Sequence, residues 1–132
     1  MPNLWIWMPI CFVLTVAIEL PCLAWGLSAR HAWKVRLFSA IWLTACTFPM
    51  VWLVIPPLFE GALTPQSPPW DVLTAEVFAA SAECLIFYRA FIWGRYPTAG
   101  RCPTVIDFAT IVLANILSFG CGEWLRAAEV LP

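Results

Sequence analysis

Residues 37–59 read LFSAIWLTACTFPMVWLVIPPLF, a run without a single charged side chain. A helix needs about 20 mainly apolar residues to cross a bilayer, and this segment is long enough. Thr44, Thr47 and Pro49 nevertheless stand near its centre. Proline frees a backbone carbonyl that hydrocarbon cannot satisfy, so neighbouring hydroxyls or water must do so. The segment therefore predicts a membrane helix that contributes to a polar layer inside a bundle.

The composition of the whole chain agrees with a membrane protein. Of its 132 residues, 62% are hydrophobic and 11% are charged, against about 45–50% and about 25% in a soluble domain. The net charge of −1 argues against a nucleic-acid partner, which would need a basic face. One histidine and no C-x-x-C pair give no basis for a metal site, so we expect no metal and no cofactor.

Four segments qualify as membrane spans, at about residues 4–27, 35–59, 72–93 and 104–125. The sequence therefore predicts an all-α, multi-pass membrane protein with one four-helix transmembrane domain. Six of the seven basic residues lie between spans one and two or around the junction of spans three and four: Arg30, Lys34, Arg36, Arg89, Arg95 and Arg101. Because basic loops stay cytoplasmic, both termini and the connection at 60–71 are expected outside. This gives two tandem helical hairpins, N-out and C-out, in the cell inner membrane.

Two acids lie well inside their predicted spans. Glu19 precedes Leu27 by eight residues and Glu83 precedes Trp93 by ten, so both carboxyls are expected at similar depth. A charge at mid-bilayer costs roughly 2.5–3.5 kcal/mol, and such residues normally face the bundle interior. Each is interpreted as a proton-accepting or cation-binding carboxylate; the alternative is a neutral acid that only joins helices. Glu76 is a secondary candidate, either on a cation path or reaching the outer interface.

The even spans carry a matching polar pattern, TACTFP at 44–49 and NILSFG at 115–120. In each, two polar residues three positions apart share a helix face. The offsets between the two hairpins, 64 for the acids and 71 for these motifs, suggest a tandem duplication; the alternative is a chance match. The predicted polar layer comprises Glu19, Glu83, Thr44, Thr47, Asn115 and Ser118, and the predicted helix-loosening positions are Pro21, Pro49 and Gly120.

These features favour a small transport protein that moves a proton, a cation or a small cationic solute as an oligomer. The alternative is a non-catalytic structural or accessory subunit of a larger membrane complex. Its partners would be the lipid bilayer and either further copies of the chain or other membrane subunits. An enzyme is not expected: the only candidate group is Asp107 with Arg89 or Arg101, no motif supports it, and no catalytic residue is assigned.

Overall fold

The structure, a computed structural model, describes residues 4–59, 70–93 and 101–128. Regular structure within these ranges is entirely helical, which confirms the predicted all-α fold. Most of the predicted outer connection, residues 60–69, and Arg95 lie outside the described residues. The elements are α1 (Leu4–Gly26), α2 (Trp33–Pro49), a π-helical segment (Met50–Val54), α3 (Ile55–Phe59), α4 (Trp70–Phe87), a second π-helical segment (Tyr88–Ile92) and α5 (Arg101–Ala127).

Three of these helical stretches are long and apolar enough to cross a membrane. They are Ile6–Gly26, Trp33–Leu58 and Pro103–Ala127, with mean hydropathies of 2.0, 1.8 and 1.8. The remaining stretch, α4, carries Asp71, Glu76 and Glu83 and is not among the three. By length and composition, the described part of the chain has the helices of a membrane protein.

The helices form a four-cornered bundle. α1 packs against both α2 and α5, and α4 packs against the same two helices. α1 and α4 are thus at opposite corners, as are α2 and α5. Side chains from all four helices can therefore meet on the central axis.

Pro49 is the last residue of α2, and the helix continues beyond it with a wider turn. The N–H of Ile55 bonds to the carbonyl of Met50, five residues back instead of four. Proline has no N–H to donate to the preceding turn, which accounts for a local change of helix geometry here. By contrast, α1 runs through Pro21 to Gly26, and α5 runs through Gly120 to Ala127.

Large side chains fill one half of the bundle, the half toward the α1–α2 loop. We call this cluster the apolar plug; it consists of Leu23, Leu27, Ala40, Leu43, Phe87, Phe91, Ile92, Ile111 and Ala114. All four corners contribute, and Leu43, Phe87 and Ile111 are completely inaccessible to solvent. Close packing of this kind leaves no route along the bundle axis at this end.

The loop between α1 and α2 is fixed by the guanidinium of Arg36. It donates to the carbonyls of Ala24, Ser28 and His31 at 3.2, 3.1 and 3.0 Å. These are carbonyls at and beyond the C-terminal end of α1, where the helix itself offers no partner. One side chain of α2 thus caps α1 and sets the angle of the first hairpin.

Candidate functional site

Glu19 projects from α1 into the centre of the bundle and is 2% exposed. Its two carboxyl oxygens accept hydrogen bonds from neighbouring corners. Thr44 of α2 donates to Oε2 at 2.6 Å, and Ser118 of α5 donates to Oε1 at 3.1 Å. The carboxyl therefore joins three helices.

Glu83 projects from α4, the opposite corner, and is also 2% exposed. Thr47 of α2 donates to its Oε1 at 2.8 Å, and Asn115 of α5 donates to its Oε2 at 2.8 Å. The two acids thus share the same pair of flanking helices. Each takes one hydrogen bond from its own hairpin and one from the other hairpin.

The three hydroxyls each have a second acceptor within reach on their own helix. Thr44 Oγ1 lies 2.8 Å from the carbonyl of Ala40, and Thr47 Oγ1 lies 3.2 Å from that of Leu43. Ser118 Oγ lies 3.0 Å from the carbonyl of Asn115. A hydroxyl has one proton to donate and lone pairs to accept with. It can donate to an ionised carboxylate, or it can donate to the carbonyl and accept the proton of a neutral carboxyl.

Asn115 behaves differently because its amide nitrogen only donates. It bonds at once to Glu83 Oε2 and to the carbonyl of Ile111, the latter at 3.0 Å. A proton on Glu83 is therefore best accommodated on Oε1, which faces Thr47. The layer can satisfy its hydrogen bonds with either acid ionised or neutral.

A cavity of about 350 Å³, lined by described residues, extends from this layer toward the end of the bundle where α1 begins. Its lining residues lie N-terminal to the acids in α1 and α4 and C-terminal to the threonines in α2, so it occupies the half opposite the apolar plug. The polar groups on its wall are Thr15, Glu19, Thr44, Thr47, Glu76, Glu83, Asn115, Ser118, Glu123 and Arg126. The floor of the cavity is the layer of hydrogen-bonded side chains around the two acids, which we call the carboxyl layer. Its members are Glu19, Glu83, Thr44, Thr47, Asn115 and Ser118.

All six predicted polar-layer residues are joined by these hydrogen bonds. Glu76 lies on the cavity wall, seven residues and two helical turns before Glu83 on the same face of α4. Pro21 and Gly120 take no part in the hydrogen bonds of the layer, while Pro49 directly precedes the π-helical segment behind the cavity.

A second buried polar cluster lies at the other end of the bundle, and it was not expected from the sequence. Asp107 of α5 is inaccessible to solvent and accepts from the Ser28 backbone N–H at 2.7 Å and from Arg30 Nε at 3.1 Å. His31 Nε2 lies 3.0 Å from the same carboxyl, and Arg30 also donates to Thr104 at 3.1 Å. This loop cluster holds the α1–α2 loop on α5.

The loop cluster pairs Asp107 with Arg30 and His31, while the side chain of Arg101, one of the two basic residues named with it, lies outside the described part of the structure. Arg89, one partner weighed for it, places its guanidinium over the ring of Trp93 at 4.6 Å instead. The available signal was a lone acid in the first turns of the fourth span, at the same end as the basic loop ARHAWKVR (29–36). Charge pairing between distant segments is hard to assign from sequence because several basic residues compete for one acid.

The described residues contain no group of three or more His, Cys, Asp or Glu side chains that could hold a metal ion. Comparisons of the chain with protein-family models, with curated proteins and with solved structures give no match.

Proposed function

We propose that the chain is a transport protein of the cell inner membrane that carries a proton, a cation or a small cationic solute through the carboxyl layer. The observation that carries the proposal is the position of Glu19 and Glu83 at the floor of one cavity. Buried polar groups at the end of a preformed cavity are the usual arrangement of a binding site. Acids within membrane segments are rare, and they commonly mark substrate or ion pathways and proton relays.

The chemistry of the donors supports a cationic cargo. Both oxygens of each carboxyl receive hydrogen bonds from neutral groups, two threonines, a serine and an asparagine. Neutral donors lower the cost of burying a carboxylate but do not cancel its charge. A bound proton or another bound cation neutralises the carboxylate, and its release makes the carboxylate charged again.

The hydroxyls make protonation reversible without an unsatisfied group. When Glu19 is ionised, Thr44 donates to it; when Glu19 is neutral, Thr44 donates to the Ala40 carbonyl and accepts from the acid. Thr47 serves Glu83 in the same way. An acid that only joins helices would need hydrogen bonds for one protonation state, whereas these acids have them for both the ionised and the neutral state.

Besides binding its cargo reversibly, a transporter must expose the binding site to one side of the membrane at a time. The position of the cavity supports this. Among the described residues, the floor faces the cavity on the side of the start of α1, and the apolar plug fills the bundle on the side of the loop. We propose that transport requires the plug to open in turn. Phe91 and Ile92 of the plug belong to the π-helical segment Tyr88–Ile92, and such segments recur at functional sites.

We further propose four membrane spans, N-out and C-out, arranged as two duplicated hairpins and assembled as an oligomer. The hydrogen bonds support the duplication: exchanging the hairpins turns Glu19–Thr44 into Glu83–Asn115 and Glu83–Thr47 into Glu19–Ser118. The sequence offsets of 64 and 71 predict the same exchange. Arg30 and Arg36 at the loop end support a cytoplasmic first loop.

Proton flux in proteoliposomes tests the proposal. The purified chain is reconstituted with a pH-sensitive dye in the lumen, and a potassium diffusion potential, negative inside, is imposed. We expect wild-type vesicles to acidify and vesicles with Glu19→Gln or Glu83→Gln to stay at the rate of empty vesicles. Ser39→Ala, which removes a buried hydroxyl outside the layer, is the control and should retain the wild-type rate.

Equal rates in wild-type and empty vesicles would contradict uncoupled proton transport by this chain alone. If the chain then co-purified with other membrane proteins in mild detergent, the accessory-subunit alternative would replace the proposal. Wild-type flux that persists in both glutamine variants would show that protons bypass the carboxyl layer.

A further inference from the structure

The cavity is larger than a proton site needs. Its volume of about 350 Å³ is that of a small-ligand pocket, and at about 30 Å³ per molecule it equals roughly a dozen waters. A pathway for protons alone needs only a file of waters or hydroxyls. The additional space indicates a solute.

The charges on the wall select a cation. Four carboxyls line the cavity, those of Glu19, Glu76, Glu83 and Glu123, against the single guanidinium of Arg126. That guanidinium is already paired with Glu123 at the exposed end. Among the described lining residues no second basic side chain accompanies the deeper acids, Glu19, Glu76 and Glu83, which makes the interior attractive to positive charge and repulsive to anions.

Aromatic rings form part of the same wall. Phe48 stacks on Trp52 with ring centroids 5.6 Å apart, and Phe12 meets the edge of Phe48 at 5.4 Å. Phe48, Trp52 and Phe119 line the cavity itself. Ring faces attract organic ammonium ions within about 6 Å, an interaction that strengthens when water is excluded.

Much of the remaining wall is aliphatic, from Leu14, Val51, Val72, Ala75 and Ala79. This aliphatic part of the wall offers no oxygen ligand to an inorganic ion. It suits a cation with an apolar body, because burial of that body is favourable by itself. The wall thus has the two properties that an amphipathic cation requires.

We infer that the cavity binds an organic ammonium ion, with its charged nitrogen toward Glu19 and Glu83 and its apolar body against Phe48 and Trp52. The inference deepens the proposed function, because it assigns the cargo class to the same carboxyl layer. A proton and an ammonium ion then compete for one pair of acids. Binding of the ammonium displaces protons into solution, which provides the step that couples the two in exchange.

Binding of benzyltrimethylammonium to the purified protein in detergent tests this inference. Isothermal titration should show saturable binding that strengthens as the pH rises. In weakly buffered solution a pH dye should record proton release on binding. The neutral isostere neopentylbenzene, with carbon in place of nitrogen, should bind at least about tenfold more weakly, since it lacks the charge that the acids attract.

Two variants locate the site, and one serves as the control. Glu83→Gln should weaken benzyltrimethylammonium binding at least about tenfold and reduce proton release, because it removes a charge from the floor. Trp52→Leu should weaken binding about threefold to thirtyfold while leaving proton release per bound ion unchanged. Ser39→Ala, outside the cavity, should bind as the wild type does.

The outcomes separate this inference from the proposed function. No binding of benzyltrimethylammonium, or equal binding of the neutral isostere, overturns the inference even if proton flux through the layer is observed. Equal or stronger competition by Na⁺ or K⁺ would assign the cavity to an inorganic ion and also overturn it. Binding with proton release, but without proton flux even when an ammonium gradient is imposed, supports the inference and contradicts transport.

Discussion

Thr44 and Thr47 lie one turn apart on the same face of α2, yet they hydrogen-bond the acids of two different helices, Glu19 and Glu83. This arrangement follows from the bundle, in which α2 lies between the opposite corners α1 and α4. Two acids that are remote in sequence are thereby held in adjacent turns of one polar layer.

The hydroxyl of Thr44 is expected to stabilise the layer through its bond to Glu19. Thr44→Val keeps the shape of the side chain but leaves Glu19 Oε2 without that donor, which should lower the free energy of unfolding by about 1–3 kcal/mol. Thr44→Ser keeps the hydroxyl and is the matched control. Both are measured by denaturant titration in mixed micelles. A larger loss in the serine variant would assign the stabilisation to the methyl group.

Replacing Asn115 by Asp tests the contact with Glu83 through pH. The substitution exchanges the amide that donates to Glu83 at 2.8 Å for a second carboxyl. At low pH the two carboxyls can share a proton, whereas at high pH both would be charged and repel. The melting temperature of Asn115→Asp should therefore fall relative to that of the wild type as the pH rises. Parallel curves for the two proteins would mean that these side chains do not face each other.

Because of the loop cluster, neutralising Asp107 should destabilise the protein much more than neutralising Glu123. Asp107→Asn removes the charge that Arg30 faces in a buried site, and breaking one partner of such a pair costs about 3–5 kcal/mol. Glu123→Gln removes a half-exposed pair with Arg126, which should cost at most about 1 kcal/mol. The two variants are compared by thermal unfolding in one detergent. Similar losses would show that the loop does not depend on Asp107.

Gly26 is expected to be required by the close approach of α5. A Cβ added there would lie 2.5 Å from Thr110 Cγ2, inside van der Waals contact. Gly26→Ala should therefore destabilise the bundle, and Thr110→Ala in the same chain should restore part of the loss. Gly120→Ala is the control: nothing lies within 4 Å of its added Cβ. That variant should be neutral or more stable by up to about 1 kcal/mol, because alanine favours helix. Equal effects at the two glycines would contradict the helix contact.

Much of the architecture follows from hydrophobicity alone. In a membrane, an uncharged run as long as residues 37–59 satisfies its backbone N–H and C=O groups by forming a helix. The all-α class was therefore predictable. The π-helical geometry after Pro49 was not, because proline is compatible with a kink, a break or a wider turn. The choice among these depends on packing.

The contacts of the layer could be anticipated only in outline. Spacing placed Thr44 and Thr47 on one face, but it could not show that they separate, one to each acid. The loop cluster was missed because hydropathy places Asp107 near a membrane boundary, where a solvated acid is the ordinary outcome. Its burial depends on Arg30 and His31, which are distant in sequence.

The titration of the two carboxyls can be observed directly by infrared difference spectroscopy of the protein in lipid, recorded between high and low pH. A protonated carboxyl absorbs at a C=O stretching frequency distinct from that of the carboxylate, and a buried one exchanges its proton for deuterium slowly. We expect a buried C=O band to appear on acidification in the wild type, to lose intensity in Glu19→Gln and in Glu83→Gln, and to vanish in the double variant. A band of unchanged intensity in the double variant, or no band in the wild type, would contradict proton binding at this layer.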